Sequence, residues 1–300
     1  MGPGDINHPS DESALLRPSL LSRYCTPSYL ARYVGIRILG SRLLGRERLH
    51  SGTGPRVVVS LTSIPSRLGH VFPTLNSILL QSRAPSAIYL NLPASSKREG
   101  DTYHMPPGIE KDPRITVCQS GEDVGPIMKL LPVLEREPDP ETVIITVDDD
   151  VVYPREMIET FLDMSESLPG AALGFRGWRL PEDGDLANRM ILHANQVSRP
   201  FSVDILCGVS GAMYLRRHFD PGFFDRSDLP PEGYFVDDLC ISGYLHRGGV
   251  MKYIVPYPIR EPFSSYIRNS RSNPLWKINR DCRNIGRMVD FYFATESRES

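Results

Sequence analysis

From Arg56 to residue 167, the sequence alternates short β-branched runs with longer segments in which apolar residues recur at helical spacing. Runs of five or six mostly apolar residues have the length of buried strands, whereas a period of three to four residues indicates helices. We predict strands over residues 56–61, 87–92, 114–118 and 142–147, and helices over residues 71–81, 127–137 and 154–167, the last opened by Pro154. Strands that alternate with helices at this spacing predict an α/β fold with a mostly parallel central sheet flanked by helices.

Composition and charge exclude several classes of protein. The 300 residues carry a formal net charge of −2, whereas domains that bind nucleic acids usually have a strong basic excess, so no nucleic-acid partner is expected. The five cysteines lie far apart without a C-x-x-C pair, which is typical of buried thiols in a reducing compartment and not of a disulfide framework or a zinc site. No apolar stretch approaches the roughly 18 residues that a membrane span needs. Residues 1–18 lack the pattern of a secretory signal, so we expect a cytoplasmic protein.

The first 54 residues differ from the remainder of the chain. No acidic residue occurs between Glu12 and Glu47, while six arginines and several apolar residues at helical spacing accumulate there. We predict a basic, partly helical N-terminal arm and linker over residues 1–54, followed by one folded domain over residues 55–300. Two interpretations of the arm stay open: it packs on the domain with its arginines in water, or it makes peripheral contact with an anionic membrane surface.

Three consecutive aspartates, Asp148, Asp149 and Asp150, follow the fourth predicted strand directly. Ligands of open parallel sheets bind beyond the carboxyl ends of the strands, and adjacent carboxylates repel each other unless a cation lies between them. Hard oxygen ligands suit Mg²⁺ or Mn²⁺, which also bind substrate phosphates. In an extended chain successive residues face opposite sides, so Asp148 and Asp150 would address the metal and Asp149 a sugar or ribose hydroxyl. The alternative is an Asx turn that caps the next helix, for which one aspartate is sufficient.

A strand that ends in Asp-x-Asp before a helix resembles the glycosyltransferases of the GT-A fold, which bind nucleoside-diphosphate sugars through manganese or magnesium. The resemblance extends over about residues 56–258 and is nearest to the small stand-alone transferases related to the β-rhamnosyltransferase domain of chlorella viruses. It implies a Rossmann-like GT-A catalytic domain over residues 55–300, with Mn²⁺ or Mg²⁺ at Asp148 and Asp150. It also implies a nucleotide-sugar donor, most commonly a UDP-sugar.

The resemblance further implies which residues contact the donor. Thr62, Pro65 and Arg67 follow the first predicted strand, where GT-A enzymes hold the base and the ribose. Asp123 and Lys129 follow the third predicted strand, where Asp123 would contact the base or ribose and Lys129 would offset the charge of the diphosphate. Helix N-termini favour anions independently of any family. The alternatives are a helix cap for Asp123 and a solvated surface charge for Lys129.

Two further segments have both a structural and a ligand-binding interpretation. Gly211 lies in a run of small residues that leads into a predicted strand, which fits either the close approach of a sugar-phosphate to the backbone or a tight bend. Trp178, between Arg176 and Arg179, offers an aromatic face of the kind on which sugars lie, or it belongs to the core. Both alternatives stay open at this point.

A second acidic pair, Asp237 and Asp238, begins a predicted helix that runs to about His246. Carboxylates at a helix start are favourable to the macrodipole whatever their function. Many inverting GT-A enzymes carry an acidic pair at this point. The resemblance therefore implies that Asp238 deprotonates the hydroxyl of a glycan or another acceptor, and that Asp237 contacts the acceptor or the donor sugar. GT-A enzymes often take a histidine ligand from the C-terminal region, but none follows His246, so the aspartates, the diphosphate and waters would hold the metal.

Two rival functions share these features. A nucleotidyltransferase acting on sugar phosphates has the same layout and metal carboxylates, but such enzymes usually carry a glycine-rich basic loop after the first strand. Here that position holds one basic residue, Arg67, and no glycine before Gly69. A non-catalytic nucleotide-sugar-binding module would keep the fold, yet it would have no use for two acidic clusters. The sequence therefore favours a metal-dependent, inverting glycosyltransferase.

Overall fold

The computed structural model describes residues 15, 27–39, 49–50, 54–258, 263–264, 275–279 and 282–293. The α-helices in these residues are α1 (Pro27–Leu39), α2 (Pro65–Leu68), α3 (Phe72–Leu79), α4 (Leu131–Arg136), α5 (Met157–Ser167), α6 (Asp237–Arg247), α7 (Leu275–Ile278) and α8 (Arg283–Phe293). The strands are β1 (Val57–Thr62), β2 (Ala87–Pro93), β3 (Ile115–Ser120), β4 (Val143–Thr146), β5 (Val151–Val152), β6 (Ala172–Gly174), β7 (Arg176–Trp178), β8 (Ile191–His193), β9 (Phe201–Ser202), β10 (Ile205–Leu206), β11 (Ala212–Leu215), β12 (Lys252–Ile254) and β13 (Phe263–Ser264).

Eight strands form the central sheet in the order β3-β2-β1-β4-β11-β6-β12-β9. Strands β1 to β4 are parallel, and Ser60 of β1 lies between Tyr89 of β2 and Thr146 of β4. Strand β11 is antiparallel and lies between β4 and β6, while β9 is antiparallel to β12. The other six strands run in one direction, so the predicted α/β fold with a mostly parallel sheet is confirmed. Two smaller sheets have the orders β10-β7-β8 and β13-β5.

The four strands predicted from β-branched runs correspond to β1 to β4, within two residues at each end. These runs are apolar at consecutive positions because the strands are buried on both faces of the sheet. Val58 of β1 and Ile144 of β4, for example, are fully inaccessible to solvent. The core therefore lies on both sides of β1 and β4 and holds the carboxyl ends of these strands in place.

Two predicted helices differ from the structure at their ends. Segment 127–137 forms a 3-10 helix, Pro126–Lys129, and then the separate helix α4. The chain bends at Leu130, and Pro132 has no N–H to continue the hydrogen bonds of the first helix. The helix expected to open at Pro154 begins only at Met157, and the N–H of Met157 bonds to the carbonyl oxygen of Pro154 in a turn that precedes it.

Helix α1 packs against the domain. Arg32 donates hydrogen bonds to the carbonyl oxygens of Ser77, Leu80 and Tyr153 at 2.9, 3.1 and 2.7 Å, and Ile36 is buried. Two of these carbonyls belong to the end of α3, where a helix lacks its own donors and favours a cation. The packed interpretation of the arm therefore fits α1, but Arg32 binds backbone carbonyls and does not lie in water.

Four further arginines of the predicted arm lie outside the described residues: Arg17, Arg23, Arg42 and Arg46. The predicted linker residues 51–53 lie outside them as well. None of the helices within the described ranges combines the length and the apolar character that a bilayer crossing needs. Leu30 and Val34 of α1 are exposed. Peripheral membrane contact through the arm and a domain boundary at residue 54 therefore stay predictions.

The imidazole of His218, in a short 3-10 helix after β11, makes stability depend on pH. Its Nδ1 accepts the N–H of Leu215 at 3.2 Å, and its Nε2 donates to the carbonyl oxygen of Gly170 at 3.1 Å, so the neutral ring is hydrogen-bonded on both sides. Burial lowers the pKa of His218 from 6.5 to about 4. Between these two pH values the unfolded chain binds more protons at this residue than the folded chain does. The stabilisation of the folded state by neutral His218 is therefore complete above about pH 6.5 and is lost as the pH falls through about 4.

We expect His218 to account for the loss of up to about 3 kcal/mol of unfolding free energy on acidification, because each pKa unit corresponds to about 1.4 kcal/mol. Urea unfolding at about pH 7.5 and about pH 4.5 would measure it as a weaker pH dependence in His218→Gln than in the wild type. His104→Gln, at an exposed position, is the matched control. An identical pH dependence in His218→Gln and the wild type would contradict this assignment.

Candidate active site

A cavity that opens to solvent lies beyond the carboxyl ends of β1 and β4, and the empty space in it and at its mouth is about 760 Å³. Eight residues selected from the sequence line it: Thr62, Arg67, Asp123, Lys129, Asp148, Asp149, Asp237 and Asp238. Asp150 is not part of the lining, but it forms an ion pair with Arg67, which is. This is the position expected for the ligand of an open parallel sheet. The fold thus brings together two acidic segments that are far apart in the sequence.

The three aspartates after β4 form a turn and do not continue the strand. Oδ1 of Asp149 lies 3.1 Å from the guanidinium of Arg67, and Asp150 pairs with the same group. Asp148 instead pairs with Lys129 at 2.8 Å. The expectation that Asp148 and Asp150 share one side, with Asp149 on the other, is therefore wrong. Alternation of side chains belongs to extended backbone and does not apply in a turn.

Side chains from neighbouring elements hold this turn in place. Thr74 of α3 donates to the carbonyl oxygen of Asp149 at 2.8 Å. Ser63, directly after β1, donates to Oδ2 of Asp149 at 2.5 Å. The hydroxyl of Tyr153 accepts the N–H of Asp148 at 2.8 Å. Both the backbone and the buried carboxylate of the turn are therefore hydrogen-bonded before any ligand binds.

Burial and mutual repulsion shift the pKa values of these aspartates. Burial, opposed by Arg67 and assisted by Asp149 and Asp148, raises the pKa of Asp150 to about 6. Burial raises the pKa of Asp149 as well. Burial alone would also raise the pKa of Asp148, but the ammonium of Lys129 outweighs it and holds that pKa below its ordinary value. Asp149 and Asp150 therefore lose their protons less readily than Asp148 does.

The turn has the chemistry of a divalent-cation site. The side chains of Asp148 and Asp150 are each 32% exposed, and Asp148 lines the cavity, so hard oxygen atoms are accessible to a cation. Among the described residues, the cavity's carboxylates outnumber the cations that are ion-paired with them. No group of three or more His, Cys, Asp and Glu side chains in the same residues is already arranged around a metal position. The donor set therefore fits Mg²⁺ or Mn²⁺ in charge and chemistry, provided that Asp150 leaves Arg67.

Lys129 reaches the cavity from the 3-10 helix after β3. Gly125 precedes this helix with a φ of +85°, and a Cβ there would lie 2.4 Å from the carbonyl oxygen of Tyr234, so only glycine fits. The Lys129 side chain is 4% exposed, and its Nζ lies 2.8 Å from Oδ1 of Asp148 and 2.8 Å from Oδ2 of Asp237. Burial alone would lower the pKa of Lys129, but Asp148 and Asp237 outweigh it and raise the pKa well above its ordinary value. The interpretation of Lys129 as a solvated surface charge is therefore wrong.

Asp237 and Asp238 are the first two residues of α6, as their acidic pattern predicts. Oδ1 of Asp238 accepts the N–H of Gly208 at 2.9 Å. A Cβ on Gly208 would lie 3.0 Å from this oxygen and 2.9 Å from Nζ of Lys129, so glycine permits the close packing of the cluster. Burial, assisted by the charge of Asp237, raises the pKa of Asp238 to about 7. Such a carboxyl can take up and release a proton near neutral pH.

Asp123 lines the cavity and also holds the loop after β3. Its Oδ1 accepts the N–H of Gly125 at 2.8 Å, and its Oδ2 accepts the N–H of Lys97 at 2.8 Å and the hydroxyl of Tyr234 at 3.1 Å. Part of its hydrogen-bonding capacity is therefore used within the protein. Asp123 does not cap the following 3-10 helix, whose N-cap residue is Gly125.

Among the cavity-lining residues that were not selected from the sequence, three carry a guanidinium or a phenol: Arg98, Tyr103 and Tyr234. Burial, assisted by the charge of Asp123, raises the pKa of both tyrosines, so both phenols stay protonated. They donate to the carbonyl oxygen of Ser63 and to the carboxylate of Asp123, respectively. Burial, assisted by the charge of Arg67, lowers the pKa of Arg98. Arg98 follows β2, so the strand-end rule is the signal that indicates it. No short motif marks the two tyrosines.

The cavity lining does not include Asp150, Pro65, Gly211 or Trp178. Pro65 is in the first turn of α2. Gly211 has a φ of +90°, and a Cβ there would lie 2.8 Å from Sδ of Met157, so the tight-bend interpretation fits its position. Trp178 is 4% exposed, which fits the core interpretation.

The fold can be compared with known proteins. No protein family model and no curated protein sequence matches the chain. A solved structure of a mannosyltransferase from Pyrobaculum calidifontis, in complex with GDP-Man and Mn²⁺, has a TM-score of 0.50 and 16% identity over 91% of this chain and 75% of that one. The chain has a glycosyltransferase-like fold. At this identity the likeness shows the fold alone, and it agrees with the GT-A resemblance indicated by the sequence.

A second solved structure, the 2-C-methyl-D-erythritol 4-phosphate cytidylyltransferase of Francisella tularensis, has a TM-score of 0.40 and 12% identity over 76% of this chain and 99% of that one. This score is too low to carry an argument about function.

Proposed function

We propose that the chain is a metal-dependent glycosyltransferase that moves a sugar from a nucleoside-diphosphate sugar to an acceptor hydroxyl with inversion. The observation that carries this proposal is the meeting of the two acidic segments at Lys129. Its Nζ lies 2.8 Å from Asp148, after β4, and 2.8 Å from Asp237, at the start of α6. A donor bound at the strand ends therefore shares one cavity with a candidate base on α6.

The diphosphate of the donor would lie beside the turn after β4. Asp148 and Asp150 would hold Mn²⁺ or Mg²⁺, which neutralises the charge of the leaving nucleoside diphosphate when it is bound. Arg67 and Arg98 place two guanidinium groups on the cavity wall, and guanidinium groups bind phosphate oxygens through paired hydrogen bonds. Because burial and Arg67 lower the pKa of Arg98, an anion between the two would be stabilised.

The nucleoside would lie between the ends of β1 and β3. Thr62, Tyr103 and Asp123 line this part of the cavity, with phenol and carboxylate groups available to a base or ribose. Asp149 would contact a hydroxyl of the ribose or the sugar. We propose a UDP-sugar as the donor and a glycan or another hydroxyl compound as the acceptor.

Asp238 would act as the general base. The N–H of Gly208 holds Oδ1, so we assign Oδ2 as the atom that takes the proton of the acceptor hydroxyl. The acceptor oxygen attacks the anomeric carbon from the face opposite the leaving group. The bond from that carbon to the phosphate oxygen breaks, the nucleoside diphosphate departs, and the configuration inverts. A pKa of about 7 for Asp238 suits this role at neutral pH.

Thermal unfolding against UDP-, GDP- and dTDP-sugars, each with and without Mn²⁺, tests the donor site. We expect one nucleotide sugar to raise the unfolding midpoint by about 5 °C at a hundredfold excess over its Kd, and to need the metal for this effect. Asp150→Asn should abolish the metal-dependent part of the shift. Asp163→Asn, at an exposed position of α5, is the matched control and should keep it.

Two outcomes would count against the proposal. If none of the three nucleotide sugars shifts the unfolding midpoint at about millimolar concentration with saturating Mn²⁺, the chain does not bind a donor and the proposal is wrong. A shift with a nucleoside triphosphate, but with none of the nucleotide sugars, would instead favour a nucleotidyltransferase.

A further inference from the structure

We propose that Lys129 is a positioning residue: its ammonium ties α6 to the turn after β4 and thereby places Asp238 against the acceptor. This inference rests on the proposed function, because it concerns the geometry of the base in that reaction. It differs from the expectation drawn from the family resemblance, in which Lys129 offsets the charge of the diphosphate directly. The two roles predict different effects on binding and on catalysis.

The contacts of the ammonium carry the first step of the argument. Nζ of Lys129 lies 2.8 Å from Oδ1 of Asp148, with which it forms a hydrogen bond, and 2.8 Å from Oδ2 of Asp237. The Lys129 side chain is 4% exposed and that of Asp237 is 11% exposed, so the pair is held away from solvent. If the ammonium moved to a phosphate, the buried carboxylate of Asp237 would lose the cation that lies 2.8 Å from it, which is costly.

The second step concerns how α6 is held. Asp237 and Asp238 are adjacent at the helix start, so a contact that fixes Asp237 also fixes the backbone from which Asp238 projects. Asp238 is held a second time by the N–H of Gly208 at 2.9 Å. Lys129 and Gly208 therefore fix adjacent carboxylates from two different segments, and only Asp238 is assigned to the proton transfer.

Gly208 gives an independent observation of the same cluster. A Cβ at this position would lie 2.9 Å from Nζ of Lys129 and 3.0 Å from Oδ1 of Asp238. Both distances are shorter than ordinary packing permits, so a side chain there would displace the ammonium, the carboxylate or both. The backbone of this segment thus approaches the cluster as closely as glycine allows.

The test separates catalysis from binding in Lys129→Met, with the exposed Lys111→Met as the matched control for the loss of a lysine. Steady-state kinetics would give kcat, and calorimetric titration with UDP, GDP and dTDP in the presence of Mn²⁺ would give the Kd of the nucleoside diphosphate. A positioning role predicts that kcat falls by about a hundredfold or more, since small misplacements of reacting groups cost about this much. The Kd should change by less than about threefold, because the diphosphate is bound elsewhere. Lys111→Met should change neither.

Gly208→Ala is the second variant, since Lys129→Met leaves two buried carboxylates unpaired and its folding is at risk. It perturbs the same cluster from the backbone side and keeps every charge. We expect the same split, with kcat reduced at least tenfold and the Kd of the nucleoside diphosphate within about threefold of the wild type. Should Lys129→Met fail to fold, a Kd weakened tenfold or more in Gly208→Ala, with kcat retained at saturating donor, would overturn the inference, because this variant displaces the ammonium as well.

The outcomes distinguish the inference from the function on which it rests. A Kd weakened by tenfold or more in Lys129→Met, with kcat nearly retained at saturating donor, would show that the ammonium binds the diphosphate and would overturn the inference. An active wild type together with unchanged kcat in Lys129→Met and Gly208→Ala would overturn it as well. A wild-type chain that transfers no sugar from any donor would overturn the proposed function, and the inference with it.

Discussion

Replacement of Asp238 by asparagine is expected to lower kcat by about a thousandfold, because asparagine cannot take the proton of the acceptor hydroxyl. A positioned general base contributes roughly a hundredfold to ten-thousandfold. The amide has the size of the carboxylate, and its oxygen can still accept the N–H of Gly208. Nucleotide binding and the unfolding midpoint should therefore stay near those of the wild type. Kinetics at saturating donor and acceptor measure the loss, and Asp228→Asn, at an exposed position, is the matched control.

The raised pKa of Asp238 predicts how kcat/KM falls on the acid side of its pH profile. Burial, assisted by Asp237, raises the pKa of Asp238 to about 7. The base must be ionised to take a proton, so kcat/KM should fall about tenfold for each pH unit below this value and level off above it. This limb should be absent from the residual activity of Asp238→Asn. A variant with wild-type kcat, or one that retains the limb, would assign the base to another group.

Replacement of Glu137 by alanine is expected to lower the free energy of unfolding by about 3 kcal/mol. Glu137 ends α4, is almost fully buried and accepts two hydrogen bonds from Arg56 at 2.6 and 2.7 Å. The hydroxyl of Tyr89, on β2, donates to the same carboxylate at 2.6 Å. The network joins α4 to the start of β1 and to β2, so the variant leaves a buried phenol and a half-buried guanidinium without their acceptor. The exposed part of Arg56 recovers some hydration, which limits the loss.

Two milder variants should lower the free energy of unfolding by smaller amounts. Glu137→Gln keeps an acceptor for Tyr89 and loses only the charge, so it should cost less than Glu137→Ala. Tyr89→Phe removes one hydrogen bond and should cost about 1 kcal/mol. Urea unfolding measures all three, and kcat per folded molecule should stay unchanged because Arg56 precedes β1 whereas the cavity lies after its end. A loss below about 1 kcal/mol in Glu137→Ala would mean that water replaces the carboxylate.

The sequence predicted the strands better than the helices. β1 to β4 are runs of β-branched residues buried on both faces, and such runs are visible without any knowledge of their neighbours. The start of α5 was predicted three residues early, and the sequence did not indicate that the residues before Pro154 pair with β13. That pairing joins residues far apart in the chain. The antiparallel insertion of β11 beside β4 depends on long-range pairing in the same way.

The candidate site was predicted as a set of residues but not as a set of contacts. Asp148, Asp149, Asp237 and Asp238 stand out because carboxylates at strand ends and helix starts form short, recognisable patterns. Arg98, Tyr103 and Tyr234 line the same cavity without such a pattern. Their positions depend on how the loops after β2 and before α6 fold over the sheet, which short-range periodicity does not encode.

By itself, the sequence determined where the parallel strands β1 to β4 lie along the chain. It also determined that carboxylates follow β4 and begin α6. Both are local properties of residue spacing and residue type. Only the tertiary structure decided which charges meet. Lys129 joins Asp148 to Asp237, and Arg67 takes Asp149 and Asp150. Ion pairing falls off with distance and strengthens with burial. Both the distances between these segments and their burial arise only when the helices and loops pack on the sheet.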